Sequence, residues 1–313
     1  LYLSPFFLYV LRCFVAKQSW LAFVILALGI LIASSASIMV RYALAEGTPP
    51  LVVAALRLTF AALILTPIVL ANARFELRWL EQRDLWLGVA SGVLLAIHFG
   101  AWISSLALTS VASSAALVST NPLWVGLASL LLFREQLKLA AWLGILLTLI
   151  GSLCIVISDS QSENAEAFAN PTLGNVLALV GALTVSGYFL IGRELSRRLS
   201  LLVYIWLCYG AAAVTLLIGV LIAGHRLLGY SLLAYLLMLG LAVGPQLLGH
   251  TSFNWALRRL SATFVAVALL GEPIGSALLA WWLFDERFAP LQLFGFALLL
   301  VGIFIAARGE QAT

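Results

Sequence analysis

The sequence predicts an all-α membrane protein: ten transmembrane helices in two inverted-topology five-helix repeats around a central cavity. Composition, the spacing of apolar runs and a likeness between the two halves predict it. Of 313 residues, 63% are hydrophobic and 10% charged, and the mean hydropathy is +1.10. A soluble domain carries roughly 25% charged and 45–50% apolar residues, and at this length would need about two domains' worth of polar surface. Seventeen basic and thirteen acidic side chains cannot cover that area. A soluble globule, a disordered chain and a nucleic-acid-binding protein are therefore excluded. The net charge of +4 reads, in a membrane chain, as a signal of orientation.

A spanning helix needs about 20 mainly apolar residues. Charged and Pro/Gly-rich breaks delimit ten such runs: 19–40, 50–71, 85–107, 111–133, 139–158, 172–192, 200–223, 231–257, 261–284 and 289–307. Residues 1–18 form an N-terminal cytoplasmic or interfacial segment. Within it, the apolar stretch Leu1–Leu11 is too short to span and lacks the basic start and cleavage site of a signal peptide. It reads as an interfacial segment or a start-site artefact. Residues 19–158 make the first repeat, 159–171 an external linker, 172–307 the second repeat and 308–313 a cytoplasmic tail. Cys13, Cys154 and Cys208 lie far apart in apolar runs, which gives neither a disulfide framework nor a zinc site. There is no phosphate-binding loop of the G-x-x-x-x-G-K-[ST] kind. No metal or other cofactor is expected.

Basic residues stay on the cytoplasmic side of a membrane. With the N-terminus inside, thirteen of the seventeen Lys and Arg residues fall inside. Only Arg41, Arg226 and Arg287 fall outside, and Arg57 lies within a span. The predicted location is a multi-pass plasma (inner) membrane, with both termini cytoplasmic. Trp20, Trp79, Trp86, Trp255, Trp281 and Trp282 sit near the predicted interfaces as an aromatic belt.

The halves resemble each other. An offset of 151 aligns Ser110 with Ser261, Pro122 with Pro273, Glu135 with Glu286, Gly144 with Gly295 and Gly151 with Gly302. An offset of 152 pairs Gly29 with Gly181 and Arg41 with Arg193. The repeated unit is five spans long, and five is odd, so the second copy runs through the membrane the other way. Inverted repeats of this kind let two similar halves exchange roles, as many secondary transporters do. With no ATP-hydrolysing machinery, this points to a transporter and away from an enzyme.

The stretches LLLFREQLKLAAWLGILLTLIG and LLAWWLFDERFAPLQLFGFALLLVG, each after a mid-helix proline, resemble the EamA-type repeat of the drug/metabolite transporter superfamily. The Ala54-Ala55-Leu56-Arg57-Leu58 segment resembles that family's alanine–arginine stretch. The resemblance covers nearly the whole chain from about residue 20. It implies ten helices, a central cavity, and export or uptake of small metabolites; bacterial members are often inner-membrane amino-acid exporters.

The candidate site residues lie at the membrane midplane. Asn121-Pro122 and Glu272-Pro273 fall mid-span, where proline breaks the helix. Asn caps well and Pro suits the first helical position, so each break is expected to restart as a capped half-helix whose positive end faces a substrate carboxylate. Glu272 is the one acid within a span. It reads either as a proton-carrying or amine-binding carboxylate or as a structural pin for the broken helix. Arg57 reads as a substrate or gate contact or as a structural tie. His98 and His250 read as packing residues or, with Glu272, as a proton relay. Trp102, Trp206 and Tyr188 are deep aromatics that read as ordinary packing residues or as cavity walls, with Gln246, Asn254, Ser119 and Thr120 as polar contacts. Pro122, Pro245 and Pro273 are the expected hinges. The expected partners are the lipid bilayer, a small-molecule substrate (an amino acid or related metabolite) and protons as a coupling ion, with no nucleic acid, in a monomer or weak dimer. The alternatives are an exchanger or uptake carrier for nucleotide-sugar-like metabolites or cationic drugs, and a non-transporting receptor or enzyme.

Overall fold

The computed structural model describes residues 5–133, 138–160, 170–284 and 289–311, without the side chains of residues 5–19 and a few others. Several readings fall outside the described residues. They include the charges Arg134, Glu135, Glu286 and Arg287, the segment Leu1–Ser4 and most of the linker 159–171; the side chains of Arg12, Lys17 and Arg308 are likewise not described. Among the described residues all regular structure is helical. The helices are α1 (Pro5–Ser34), α2 (Ala36–Ala45), α3 (Pro50–Asn72), α4 (Arg74–Arg78), α5 (Gln82–Leu106), α6 (Val111–Val118), α7 (Asn121–Phe133), α8 (Leu139–Ser160), α9 (Pro171–Leu195) and α10 (Leu201–Ile222). They continue with α11 (Leu232–Leu241), a π-helix (Ala242–His250), α12 (Thr251–Ala256), α13 (Ala262–Ala268), α14 (Gly271–Phe284) and α15 (Pro290–Gln311).

Seven helical rods within the described residues are long and apolar enough to cross a membrane, from Trp20–Ala45 to Phe264–Leu283. Two shorter apolar stretches, Trp142–Ser158 and Pro290–Gly302, belong to α8 and α15. The predicted span 111–133 consists of two short helices, α6 and α7. The surface is apolar: Leu63, Leu131, Ile222 and Leu232 are all well exposed. The largest fully buried side chain is the charged Arg57. This inside-out polarity suits a hydrocarbon solvent.

Small polar residues start the helices. The hydroxyls of Ser110, Ser200, Ser231 and Ser261 each accept a hydrogen bond from the backbone N–H three residues on, as does the side-chain oxygen of Asn170. Such caps satisfy donors that no helix can satisfy internally. Ser110 and Ser261, equivalent in the internal alignment, cap α6 and α13.

α8 and α15 pack along each other. Glycines bring their backbones together: a Cβ added to Gly151 would sit 2.6 Å from the Gly295 carbonyl oxygen, and one added to Gly295 the same distance from that of Gly151. Gly302 meets Gly144 in the same way, at 2.7 Å. The other helices gather around α3, α5, α9 and α10 in one hydrophobic core.

Four breaks interrupt the rods, and they shape the centre. α1 passes to α2 at Ser35, where Ser34 and Ser35 hydroxyls bond back to the carbonyls of Ile30 and Ile32. This kink is not foreseen from the sequence; the Ser34-Ser35 pair is its signal. α6 gives way to α7 at Ser119–Thr120, and α13 to α14 at Leu269–Leu270, beside the expected Pro122 and Pro273. Near Pro245 the rod widens into a π-helix instead of a simple kink, absorbing the missing proline N–H in a looser ladder.

Candidate functional site

The four breaks meet at a central cavity. Its lining includes Arg57 (α3), His98, Phe99 and Trp102 (α5), Asn121 (α7), Pro245 and His250 (π-helix) and Glu272 (α14). The sequence brings these together because each break exposes polar groups that a continuous helix would turn away. Ser34 at the first break bonds to the Glu272 carbonyl at 3.3 Å, and the Ser276 hydroxyl donates to the Ser34 carbonyl at 2.9 Å, so the α1 kink docks on α14.

Arg57 is fully buried and does not reach outward. Its Nε donates to Gln246 Oε1 at 3.0 Å, and its guanidinium carbon lies 4.0 Å above the centre of the Phe99 ring. Nη1 and Nη2 have no hydrogen-bond partner among the described residues. Tyr209, which the offset of 152 pairs with Arg57, donates to the Gln246 carbonyl at 3.5 Å. The two equivalent positions thus converge on Gln246.

Asn121 is buried, and its side-chain oxygen has no hydrogen-bond partner among the described residues. It does not cap α7, contrary to the sequence expectation. The break falls two residues earlier, so Asn121 is already helical and its side chain lines the cavity. Glu272 stands in the first turn of α14, half-buried at the cavity wall. Its backbone N–H donates to the Leu269 carbonyl at 2.9 Å.

His98 and His250 face each other with ring centres 6.4 Å apart. His98 Nδ1 lies 2.9 Å from the Gly181 carbonyl, an acceptor, so Nδ1 carries the proton. Trp102 lies parallel to His98, with an interplanar angle of 5°. Among the described residues no three His, Cys, Asp or Glu side chains gather as a metal site requires.

Five expected contacts lie elsewhere or one layer back: Trp206, Tyr188, Gln246, Asn254 and Thr120, whose hydroxyl bonds back to the Leu117 carbonyl at 2.8 Å. Trp206 is outside the cavity lining; its Nε1–H donates to Thr66 at 3.0 Å, on the flank where α10 packs against α3. Tyr188 is fully buried behind His250, with its hydroxyl bonded by the Asn254 amide. Gln246 touches Arg57 and does not line the cavity itself. Phe99, Phe189, Phe253 and Ser34 also shape the site and are not among the residues that the sequence singles out. The first three are immediate neighbours of His98, Tyr188 and Asn254, so adjacency to the polar positions was the available signal.

The cavity volume is about 40 Å³. That holds about two or three waters, far below the roughly 300–1,000 Å³ of a small-molecule pocket. Closure is dense toward the end of the bundle that carries Arg193, Arg197, Arg258 and Arg259. There Ser91, Tyr204 and Cys208 form a buried polar layer, with Ser91 3.0 Å from the Tyr204 hydroxyl and 3.6 Å from the Cys208 sulfur. Beyond it Arg198 bridges Asp84 at 3.0 Å and Glu81 at 2.6 Å. The Glu76 carboxylate accepts from the Ser200 N–H at 2.7 Å, and Arg83 pairs with Glu194 at 3.5 Å. Burial and the adjacent Arg259 push the Arg258 guanidinium below its ordinary range, and its Nη2 donates to the Leu199 carbonyl. At the opposite end a lighter tie joins the Ser231 hydroxyl to Glu46 at 2.6 Å.

The family model of the EamA-like transporters matches this chain twice, over residues 18–157 and 172–308. The chain belongs to the EamA-like transporter family. As a member it is a multi-pass membrane transporter and not an enzyme. Relatives include an uncharacterized transporter of Archaeoglobus fulgidus, 26% identical over 84% of this chain and 88% of that one. Another, from Clostridium kluyveri, is 21% identical over 78% of this chain and 79% of that protein. A solved crystal structure shares the fold, with a TM-score of 0.68 at 22% identity, covering 93% of this chain and 98% of the other.

Proposed function

We propose that this EamA-like transporter exports amino acids or similar small zwitterionic metabolites by alternating access, in a plasma (inner) membrane with both termini cytoplasmic. The observation that carries the substrate class is the pairing of opposite polarities in one cavity. Arg57 offers two unpartnered buried donors, while Asn121 Oδ1 and the Glu272 carboxyl offer acceptors. A carboxylate would dock on Arg57 as a charge-assisted pair, and an ammonium on Glu272 and Asn121. This reverses the assignment of the carboxylate to the half-helix ends. A buried charge left unpaired is costly, so Arg57 favours a ligand that brings the opposite charge.

We read ten crossings: the seven long rods, the shorter α8 and α15, and the broken α6–α7 rod. The inverted relation of the two repeats is supported by the α8–α15 contacts. At an offset of 151 the pair Gly144–Gly302 maps onto the pair Gly295–Gly151. The two end ties are similarly related, since Glu46 precedes Arg198 by 152 residues. Export then alternates between opening the Arg198 end and opening the Glu46 end, with flexing near Pro122, Pro245 and Pro273. Protons carried by Glu272, with His98 and His250 nearby, are the proposed coupling ion.

The test is counterflow in proteoliposomes with a metabolite panel. Accumulation of labelled amino acids, lost in Arg57→Gln, is the expected result. Flux of a nucleotide sugar with none for any amino acid would overturn the substrate class.

A further inference from the structure

The bilayer-facing surface carries a crevice of about 380 Å³ between α1 and the rod formed by the π-helix and α12. Ile25, Leu28 and Ile32 form one wall, and Leu247, Leu248 and Trp255 the other. Leu28 and Leu248 are each more than half exposed. The floor is the seam where Gly29 meets Ser252: a Cβ on Gly29 would fall 2.7 Å from Ser252 Cβ. From Ile25 to Ile32 the crevice runs about 10 Å along the helix, roughly a third of the hydrocarbon thickness. An apolar hollow at that depth is filled by hydrocarbon, because water is absent there.

The mouth of the crevice is charged. Trp255 closes it toward the arginine-rich end, and the Arg259 guanidinium lies 3.7 Å over the Trp255 ring. Arg259 is exposed, one helical turn beyond Trp255. Stacking holds the planar guanidinium in place, and a guanidinium held flat presents its N–H fork to a phosphate. Two further arginines are near in sequence: Arg258 precedes Arg259, and Arg197 lies four residues before Leu201, which lines the crevice. A chain-shaped apolar hollow that opens onto a positively charged mouth fits one kind of molecule.

We propose that this crevice is a binding site for one anionic phospholipid, with an acyl chain between α1 and the π-helix and its phosphate at Arg259. The bound chain packs on Leu247 and Leu248, in the same π-helix that presents Gln246 to Arg57. The lipid therefore supports the element that positions Arg57 from the outside.

The test uses the whole purified protein reconstituted with acyl-brominated phosphatidylglycerol or acyl-brominated phosphatidylcholine. Bromine quenches nearby tryptophans, and the difference between the native chain and Trp255→Phe isolates the Trp255 signal. The Trp255 component is expected to be quenched at lower mole fraction by phosphatidylglycerol, with about a fivefold preference, the contribution of one basic residue near a membrane surface. Arg259→Gln, at an exposed position, should equalise the two lipids without changing the unfolding temperature. Leu248→Phe should reduce quenching by both. Equal quenching by both lipids in the native chain would overturn the proposal, since the crevice would then take any acyl chain. Absence of Trp255-dependent quenching would overturn it as well, since no chain would enter.

Discussion

Gln246 Oε1 accepts the Arg57 Nε–H at 3.0 Å, and this one bond aims the far end of the guanidinium into the cavity. The Nε position is the only part of the guanidinium with a side-chain hydrogen bond among the described residues, so Gln246 sets its orientation. Gln246 is carried by the π-helix around Pro245, a helical form that often occurs at functional sites.

Replacing Gln246 by Leu is expected to leave all buried Arg57 donors unpaired. Leaving a buried donor unsatisfied costs about 1–3 kcal/mol, and more when the group is charged. The expected outcome is a lower unfolding temperature in detergent that added substrate partly restores, because the substrate supplies the missing acceptor. Gln246→Glu should keep the fold. An unfolding temperature unchanged in Gln246→Leu would show that the bond does not hold Arg57.

Glu272→Gln is expected to abolish accumulation driven by an imposed pH gradient while leaving substrate exchange intact. The carboxyl would no longer exchange a proton, yet the amide keeps an acceptor toward the cavity. Gradient-driven accumulation at the native rate would remove Glu272 from proton coupling.

Arg198→Ala removes the side chain that ties Asp84 and Glu81 to the 196–200 connection. Asp84 is only 4% exposed, so its carboxylate would be left buried without its cation. The variant should open more often at this end. The readout is Cys208, fully buried behind that network. With Cys13 and Cys154 replaced by serine, maleimide labelling of Cys208 should rise several-fold. Unchanged labelling would mean that the network does not guard this end.

Gly295→Val places side-chain atoms where the Gly151 carbonyl already stands. Overpacking of this kind costs about 1–3 kcal/mol when neighbours can yield, and a backbone carbonyl yields less than a side chain. A clear drop in unfolding temperature is expected, with Gly295→Ala milder. Native stability in Gly295→Val would show that α8 and α15 are not locked here.

Much of the fold was legible because hydrophobicity in a membrane chain is nearly a map of helices. Trp20, Trp79, Trp86 and Trp282, which the sequence assigns to an aromatic belt, are all well exposed. The mid-span prolines marked three of the four central breaks, because a missing N–H is written in the residue type. The fourth, at Ser35, depends on hydroxyls bonding back to their own helix, a weaker signal that only packing against α14 makes decisive. Arg57, His98, Asn121, His250 and Glu272 stood out because polar groups within apolar spans are costly. Trp206 stood out for its depth alone, and depth does not say which way a side chain faces.

By itself, then, the sequence determined the solvent, the helical class, the family and the short set of polar residues that the interior must accommodate. Each follows from composition, spacing or residue type, which are local properties. Tertiary structure decided which of those residues meet. It joined Arg57 to Gln246 across 189 positions and turned Trp206 toward Thr66. It also left Asn121 Oδ1 without a hydrogen-bond partner among the described residues and closed the cavity to about 40 Å³. The physical reason is that a helix's hydropathy fixes its depth, while its rotation is set only by the neighbours against which it packs.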